Sequence, residues 1–324
     1  MSERTNPDRN LALELVRVTE VAAIAASRFM GRGDKEAADG AAVNAMRSQL
    51  SVVAMEGTVI IGEGEKDEAP MLFNGEVIGN GEPPKVDIAV DPIDGTTLTA
   101  LGRANALAVI AASEGGTMFD PGPCVYMKKI AVGPAAARAI DIQRSPTENL
   151  HAIAEAKNQP VENLTAVILD RDRHVELIKE VRVAGARVRL IPDGDVAGAI
   201  STAWSGSGAD VLFGIGGTPE GVISAAALGC MGGEQQGLLW PRNEAEKTEA
   251  TEAGYDLKKV LHIEDLVGSD NCFFAATGIT DGDLLRGVHF ERGVAKTQSL
   301  VMRSRSGTVR LVEGHHQIEK YSRF

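Results

Sequence analysis

The chain has 324 residues, 44% of them hydrophobic and 24% charged, with a formal net charge of −12. That balance excludes a disordered or fibrous chain and predicts two domains or one large layered body. The acidic charge has no block of consecutive lysines or arginines to oppose it, and the longest apolar run, Ala106 to Ala112, is far short of a bilayer, so nucleic acid and membranes are excluded as partners.

At the N-terminus, Asn6-Pro7 reads as a cap followed by proline, and Leu11, Leu15, Val18, Ala22 and Ala25 then recur at helical spacing up to Gly31. A second helix is expected from Asp34, with Val43, Met46 and Leu50 inward and Asp39 set among alanines beside Gly40. From Thr58 the period shortens to that of strands: TVII, EVIG, VDIAVD, NALAVIAAS, CVYMKKIAV and ARAIDIQ, separated by Gly and Pro turns. Consecutive strands on short connections predict a mostly antiparallel sheet covered by the two helices, an α+β arrangement.

After a helical PTENLHAIAEAKN the pattern alternates strictly, with strands TAVILD, RVRLI and DVLFGI interleaved with helices RHVELIKEVRVA, DVAGAISTAW and PEGVISAAALGCM. Such alternation predicts an α/β layer on a parallel sheet. A boundary near Gln159-Pro160 gives domains 1–160 and 161–324. NEAEKTEATEAGYDLKK reads as a solvated surface helix, and SDNCFFAATGIT, GVAKTQSLVMR and TVRLVEGHH as further strands with no assigned sheet.

Ligands of an open α/β sheet bind outside the carboxyl ends of its strands. Three strands of the second half end there in polar residues: Asp170 to His174, including Asp172 and Arg173; Asp193, Gly194 and Asp195; and Gly216, Gly217, Thr218, Pro219 and Glu220. Any one of these serves equally as a turn or cap residue; their coincidence on one edge favours a site.

In the first half, AVDPIDGTTL ends a strand at Asp91, removes a ladder donor at Pro92, and returns a second carboxylate at Asp94. Two carboxylates this close repel unless a cation lies between them, and Mg²⁺ or Mn²⁺ is the ion that prefers oxygen ligands. Gly95, Thr96 and Thr97 then offer backbone N–H groups at a helix start, which suit a phosphate oxygen. An Asx-type turn accounts for one of the aspartates without a metal. Glu63 follows TVII between glycines that let the backbone bend, whereas Glu65, Asp67 and Glu68 read as solvent-facing. There is no Walker loop, GxSxG elbow or HExxH, and GIGGTPEG fails as a dinucleotide fingerprint because Pro219 stands at the third glycine position. Cys124, Cys230 and Cys272 lack metal or redox spacing and predict reduced thiols and a cytoplasmic location.

Six ordered segments, GRGDKEAADGAAVNAMR, GTVIIGEGEKDEAPML, VDIAVDPIDGTT with its DPIDGT element, IPDGDVA, GIGGTPEGVISAA and SDNCFFAATGIT, resemble class II fructose-1,6-bisphosphatase, within the lithium-sensitive, metal-dependent sugar and inositol phosphatases. The resemblance runs from about residue 10 to the C-terminal strands. It implies the layered sugar-phosphatase fold and hydrolysis of fructose 1,6-bisphosphate in gluconeogenesis, with Mg²⁺ or Mn²⁺ as cofactor. It also implies Asp39, Glu63, Asp91, Asp94 and Glu220 as metal ligands, and Asp94, Glu63 and Thr96 as catalytic, with Thr96 aiding the attacking water. Asp94, Gly95, Thr96, Tyr126, Asp172, Arg173, His174, Asp193, Gly194, Asp195 and Gly217 become substrate contacts. Some members carry glutamate where this chain has Asp94. A sugar bisphosphate is the expected small-molecule partner and a homo-oligomer the expected assembly. A dual fructose/sedoheptulose bisphosphatase and an inositol monophosphatase stand as alternatives, a dinucleotide-binding oxidoreductase and a silent sugar-phosphate sensor as alternatives of other classes.

Overall fold

The computed structural model describes residues 11–63 and 72–321. The expected cap at Asn6-Pro7 and the carboxylates Glu65, Asp67 and Glu68 lie outside them. The chain divides into two compact units, Met1–Gly116 with Asn271–Phe324, and Thr117–Asp270. This differs from the division expected at residue 160: residues 117–160 fold with the second unit, and the C-terminal strands return to the first.

The first unit opens with α1 (Leu11–Ser27), whose buried Leu11, Leu15, Val18, Ala22 and Ala26 form one stripe at helical spacing. α2 (Lys35–Leu50) starts where Asp34 accepts a hydrogen bond from the Ala37 N–H at 2.9 Å, and buries Ala38, Ala42, Met46 and Leu50. β1 (Glu56–Ile61), β2 (Val77–Ile78), β3 (Lys85–Asp94), the short helix α3 (Thr96–Leu101) and β4 (Leu107–Glu114) follow. β1 pairs parallel with β3 and antiparallel with β2, and β3 runs antiparallel to β4. Seven of the eight residues of β4 are buried, as befits a central strand covered on both faces.

The second unit contains β5 (Tyr126–Val132), α4 (Pro146–Ala156), β6 (Thr165–Leu169), α5 (Val175–Val183), β7 (Arg187–Ile191), α6 (Asp195–Ser201), β8 (Val211–Gly217), α7 (Thr218–Met231), β9 (Glu234–Leu239) and α8 (Glu244–Glu252). Strand order is β7-β6-β8-β5-β9. The alternating segment gives the expected parallel core, with β6 parallel to β7 and β8, while β5 pairs antiparallel with β8 and β9. ARAIDIQ, expected as a strand, is not one. Asn149 bonds the Asp141 N–H and C=O at 2.8 Å each, and Gln236 takes the Ile142 N–H at 2.7 Å and gives to the Ile140 carbonyl at 3.1 Å. Side-chain amides thus satisfy backbone groups that a ladder would otherwise pair, and Ile140 and Ile142 stay buried without it.

The chain then returns to the first unit as β10 (Phe273–Gly278), β11 (His289–Glu291), β12 (Val294–Arg303) and β13 (Thr308–Gln317). β10 inserts between β4 and β12, completing an eight-stranded mixed sheet of order β11-β12-β10-β4-β3-β1-β2 with β13 on β12. α1 covers this sheet in a shared apolar core with Ile88, Val90, Ile110 and Phe273. The layered fold of helices on mixed sheets agrees with the class expected. All three cysteines are buried and free.

Candidate active site

In the first unit β3 does not end at Asp91. Asp91 stands opposite Val109 and Asp94 opposite Leu107, so three steps of β3 match two of β4. This is a bulge, centred where Pro92 has no N–H to give. It bends the strand so that Asp91 is half-buried and Asp94 is 3% exposed. Asp91 Oδ1 accepts from the Ile93 N–H at 3.0 Å. Gly95 caps α3 at φ 94°, in the left-handed region, and a Cβ there would press on the Leu98 side chain, so the turn requires glycine. Thr96 Oγ1 donates to the Ile93 carbonyl at 3.3 Å, which leaves its lone pairs free to accept.

Asp39 lies half-buried on α2, and burial raises its carboxyl above the usual range. Lys35, at the start of the same helix, donates to Thr97 Oγ1 at 2.9 Å. Glu63 stands two residues beyond β1, its N–H bonded to the Leu72 carbonyl at 2.8 Å; a Cβ at Gly62 would collide with that carbonyl. Among the described residues no three or more His, Cys, Asp or Glu side chains lie close enough together to hold a metal ion.

In the second unit the polar residues sort into three groups. The first is buried. Lys129 Nζ lies 2.6 Å from Asp195 Oδ2, with the two side chains 2% and 6% exposed, and donates to the Gly217 carbonyl at 3.0 Å. Glu220 sits in the first turn of α7, half-buried as a residue, yet its Oε2 is sealed from solvent and accepts no hydrogen bond among the described residues. Burial first, and the nearby Asp195 charge second, raise its carboxyl above the usual range; Lys129 opposes them. A Cβ on Gly217 would strike the Glu220 carboxylate, and one on Gly216 would strike that of Asp195. These two glycines are what let both acids lie against the strand end.

The second group surrounds Tyr126. The Arg173 guanidinium lies 5.1 Å from its ring centre and that of Arg242 5.9 Å. Arg173 also donates twice to the Ile215 carbonyl, at 3.0 and 2.8 Å. His174 is 1% exposed and uses both ring nitrogens on the backbone: Nδ1 meets the Leu169 carbonyl at 2.8 Å and Nε2 accepts from the Ile215 N–H at 2.8 Å. That arrangement fixes a neutral ring, and burial lowers its pKa. The third group pairs Arg171 with Asp193 at 3.4 Å beside Gly194, which caps α6 at φ 73°; Asp172 is exposed in the short 3₁₀ turn before α5.

Two of these residues were not foreseen in the sequence. Lys129 had a signal: in a strand buried on both faces, adjacent Lys128 and Lys129 must point to opposite sides, so one turns inward. Arg242, in a loop after β9, had none. GIGGTPEG is the end of β8 running directly into α7 at Thr218, with no intervening loop to receive a pyrophosphate.

Residues 9–316 match the family model described as bacterial fructose-1,6-bisphosphatase, glpX-encoded. The class 2 fructose-1,6-bisphosphatase 1 of Escherichia coli K12 is 46% identical over 96% of this chain and 96% of its own, and the class 2 enzyme of Shigella flexneri matches equally. The chain belongs to the class II fructose-1,6-bisphosphatase family. It is therefore a phosphatase, and the oxidoreductase and sensor alternatives fall. Among solved structures, an inositol monophosphatase from Zymomonas mobilis is 16% identical over 61% of this chain and 75% of that one, at a TM-score of 0.35, too loose to carry weight. No helix among the described residues is long and apolar enough to cross a membrane.

Proposed function

We propose that this chain removes the 1-phosphate from fructose 1,6-bisphosphate, yielding fructose 6-phosphate and inorganic phosphate, as a cytoplasmic, gluconeogenic homo-oligomer. The near full-length match to class 2 bisphosphatases carries this reading.

A divalent cation, Mg²⁺ or Mn²⁺, suits the chemistry of carboxylate donors. A buried carboxylate oxygen without a partner is rare in a native fold, and Glu220 Oε2 is such an atom among the described residues. Asp39, Glu63, Asp91 and Asp94 in the first unit, and Glu220 in the second, would serve as oxygen ligands of divalent cations, which when bound lower the pKa of a water and offset phosphoryl charge. Thr96 Oγ1, with its proton committed to Ile93, accepts from the attacking water and so orients it. The N–H groups of Gly95 and Thr96 receive the reacting phosphate. Arg173 takes the distal phosphate, held by Tyr126 and Ile215, and Asp193 accepts from a sugar hydroxyl, with Asp172, Gly194 and Gly217 shaping the remaining contacts. Two substrate roles are refined by burial: His174 positions Ile215 and through it Arg173, and Asp195 acts by orienting Lys129.

Phosphate release is to be measured across fructose 1,6-bisphosphate, sedoheptulose 1,7-bisphosphate and inositol monophosphate, with Mg²⁺ or Mn²⁺ and with or without lithium. Fastest release from fructose 1,6-bisphosphate, dependent on the metal and depressed by lithium, is expected; preference for inositol monophosphate would overturn the reading.

A further inference from the structure

A cavity of about 240 Å³ opens in the second unit on the side of the sheet covered by α4 and α5. Its charged lining is cationic, from Lys128, Arg144 and Arg173 together with Lys129, whose charge Asp195 already meets, and contains no carboxylate; its apolar wall includes Ile142, Phe213 and Trp240. Lys128 donates to the Ile142 carbonyl at 3.2 Å and Arg173 to that of Ile215, so both cations rest on neutral acceptors. Arg144 keeps a solvent-exposed pair with Asp141 at 3.5 Å. Trp240, 47% exposed, offers an aromatic face on the cavity wall. In a chain of net charge −12, Lys128 and Arg173 resting on carbonyl oxygens, beside Arg144 with only an exposed carboxylate partner, specify an anion on this concave wall.

We propose that this cavity is a second ligand site, sharing Arg173 with the substrate position proposed above, for a small molecule carrying one phosphate or phosphonate on a flat or apolar body. The anion exchanges carbonyl contacts for charge-assisted bonds to Lys128, Arg144 and, at the mouth, Arg173. The flat part lies between Trp240 and Phe213. The volume admits about one ring plus the anionic group and is too small for a dinucleotide. Because Arg173 is also proposed to hold the distal phosphate of the substrate, this part of the inference rests on the function proposed above, whereas binding itself does not.

The test uses the full-length, Mg²⁺-loaded protein and phenylphosphonate, followed by calorimetry on the native sequence and by fluorescence in Trp204→Phe, where Trp240 is the sole reporter of the two tryptophans. A saturable Trp240 signal is expected, with binding at least tenfold tighter than that of inorganic phosphate. Lys128→Ala with Arg144→Ala should weaken it at least tenfold, leaving any calorimetric event at the substrate position in place and KM for fructose 1,6-bisphosphate within twofold. The proposal is overturned by absence of saturable binding in both measurements, by unchanged affinity in the double variant, by equal affinity for inorganic phosphate, or by a parallel tenfold rise in KM, which would make the cavity part of the substrate position. A protein that turned over no sugar phosphate would refute the function while the titration still decided the cavity.

Discussion

Lys129 and Asp195 form an ion pair of 2.6 Å with both side chains almost wholly out of water, and Glu220 lies close enough for the Asp195 charge to raise its carboxyl. Lys129→Met leaves two acids facing each other without the cation. The expected loss is about 3–5 kcal/mol of stability, read by urea unfolding. Adding Asp195→Leu restores most of that stability but not turnover. A single variant as stable as the parent would show that the pair is not holding the strand end together.

Gly217→Ala separates geometry from folding. Backbone φ at Gly217 is −61°, ordinary for alanine, but the new methyl group displaces the Glu220 carboxylate. Activity and apparent metal affinity should fall by about 10- to 100-fold while the thermal midpoint moves little. Unchanged metal dependence would remove Glu220 from the ligand set.

His174 predicts an acid-side loss of stability. Its native pKa is depressed, first by burial, so the folded ring stays neutral while the unfolded chain takes up a proton below about pH 6.5. The unfolded state then binds more protons, and stability falls as pH drops from about 6.5 through the depressed native value. His174→Gln should flatten this slope in unfolding curves between pH 7 and pH 5 (about the range where an ordinary histidine titrates). A slope that survives the substitution belongs to another group.

Asp91→Asn should reduce turnover to background with a near-native unfolding curve, since its Oδ1 can still accept from Ile93. Thr96→Ala should lower kcat by about 100-fold with KM nearly unchanged. A pure KM effect would place Thr96 in binding rather than in orienting water.

The first unit also stores a buried polar network: Thr297 donates to Glu20 at 3.1 Å and lies 3.0 Å from His316, while Thr19, Thr277 and Ser299 are joined through contacts of 2.7 and 2.8 Å. Glu20→Ala removes the carboxylate that accepts from Thr297 and should cost about 1–3 kcal/mol in a thermal melt, without altering KM. Full stability in this variant would mean that water replaces the carboxylate.

Features set by neighbouring residues were legible in the sequence: the Asp34 cap, the α1 stripe, the β6-to-α7 alternation, and the polar strand ends at Arg173, Asp193 and Glu220. Features set across distance were not. β10 pairs with β4, some 165 residues earlier (Phe273 against Ala112, for instance, 161 apart), and no local pattern encodes that choice. ARAIDIQ alternates like a strand, but Asn149 and Gln236 claim its backbone. Pro92 reads as a stop, yet the strand absorbs it as a bulge and carries Asp94 onward. His174 reads as a polar residue at a strand end, placed to meet a substrate, whereas both of its nitrogens are spent inside the fold.

The insertion of Thr117–Asp270 between β4 and β10 orders events during synthesis. When a ribosome has delivered residue 270, every strand of the five-stranded sheet exists, but the eight-stranded sheet lacks β10 to β13 and the β4 edge that β10 covers is bare. The segment made first is thus the last to find all its partners, and a nascent chain that stalls in its final sixth exposes an apolar strand to whatever lies nearby.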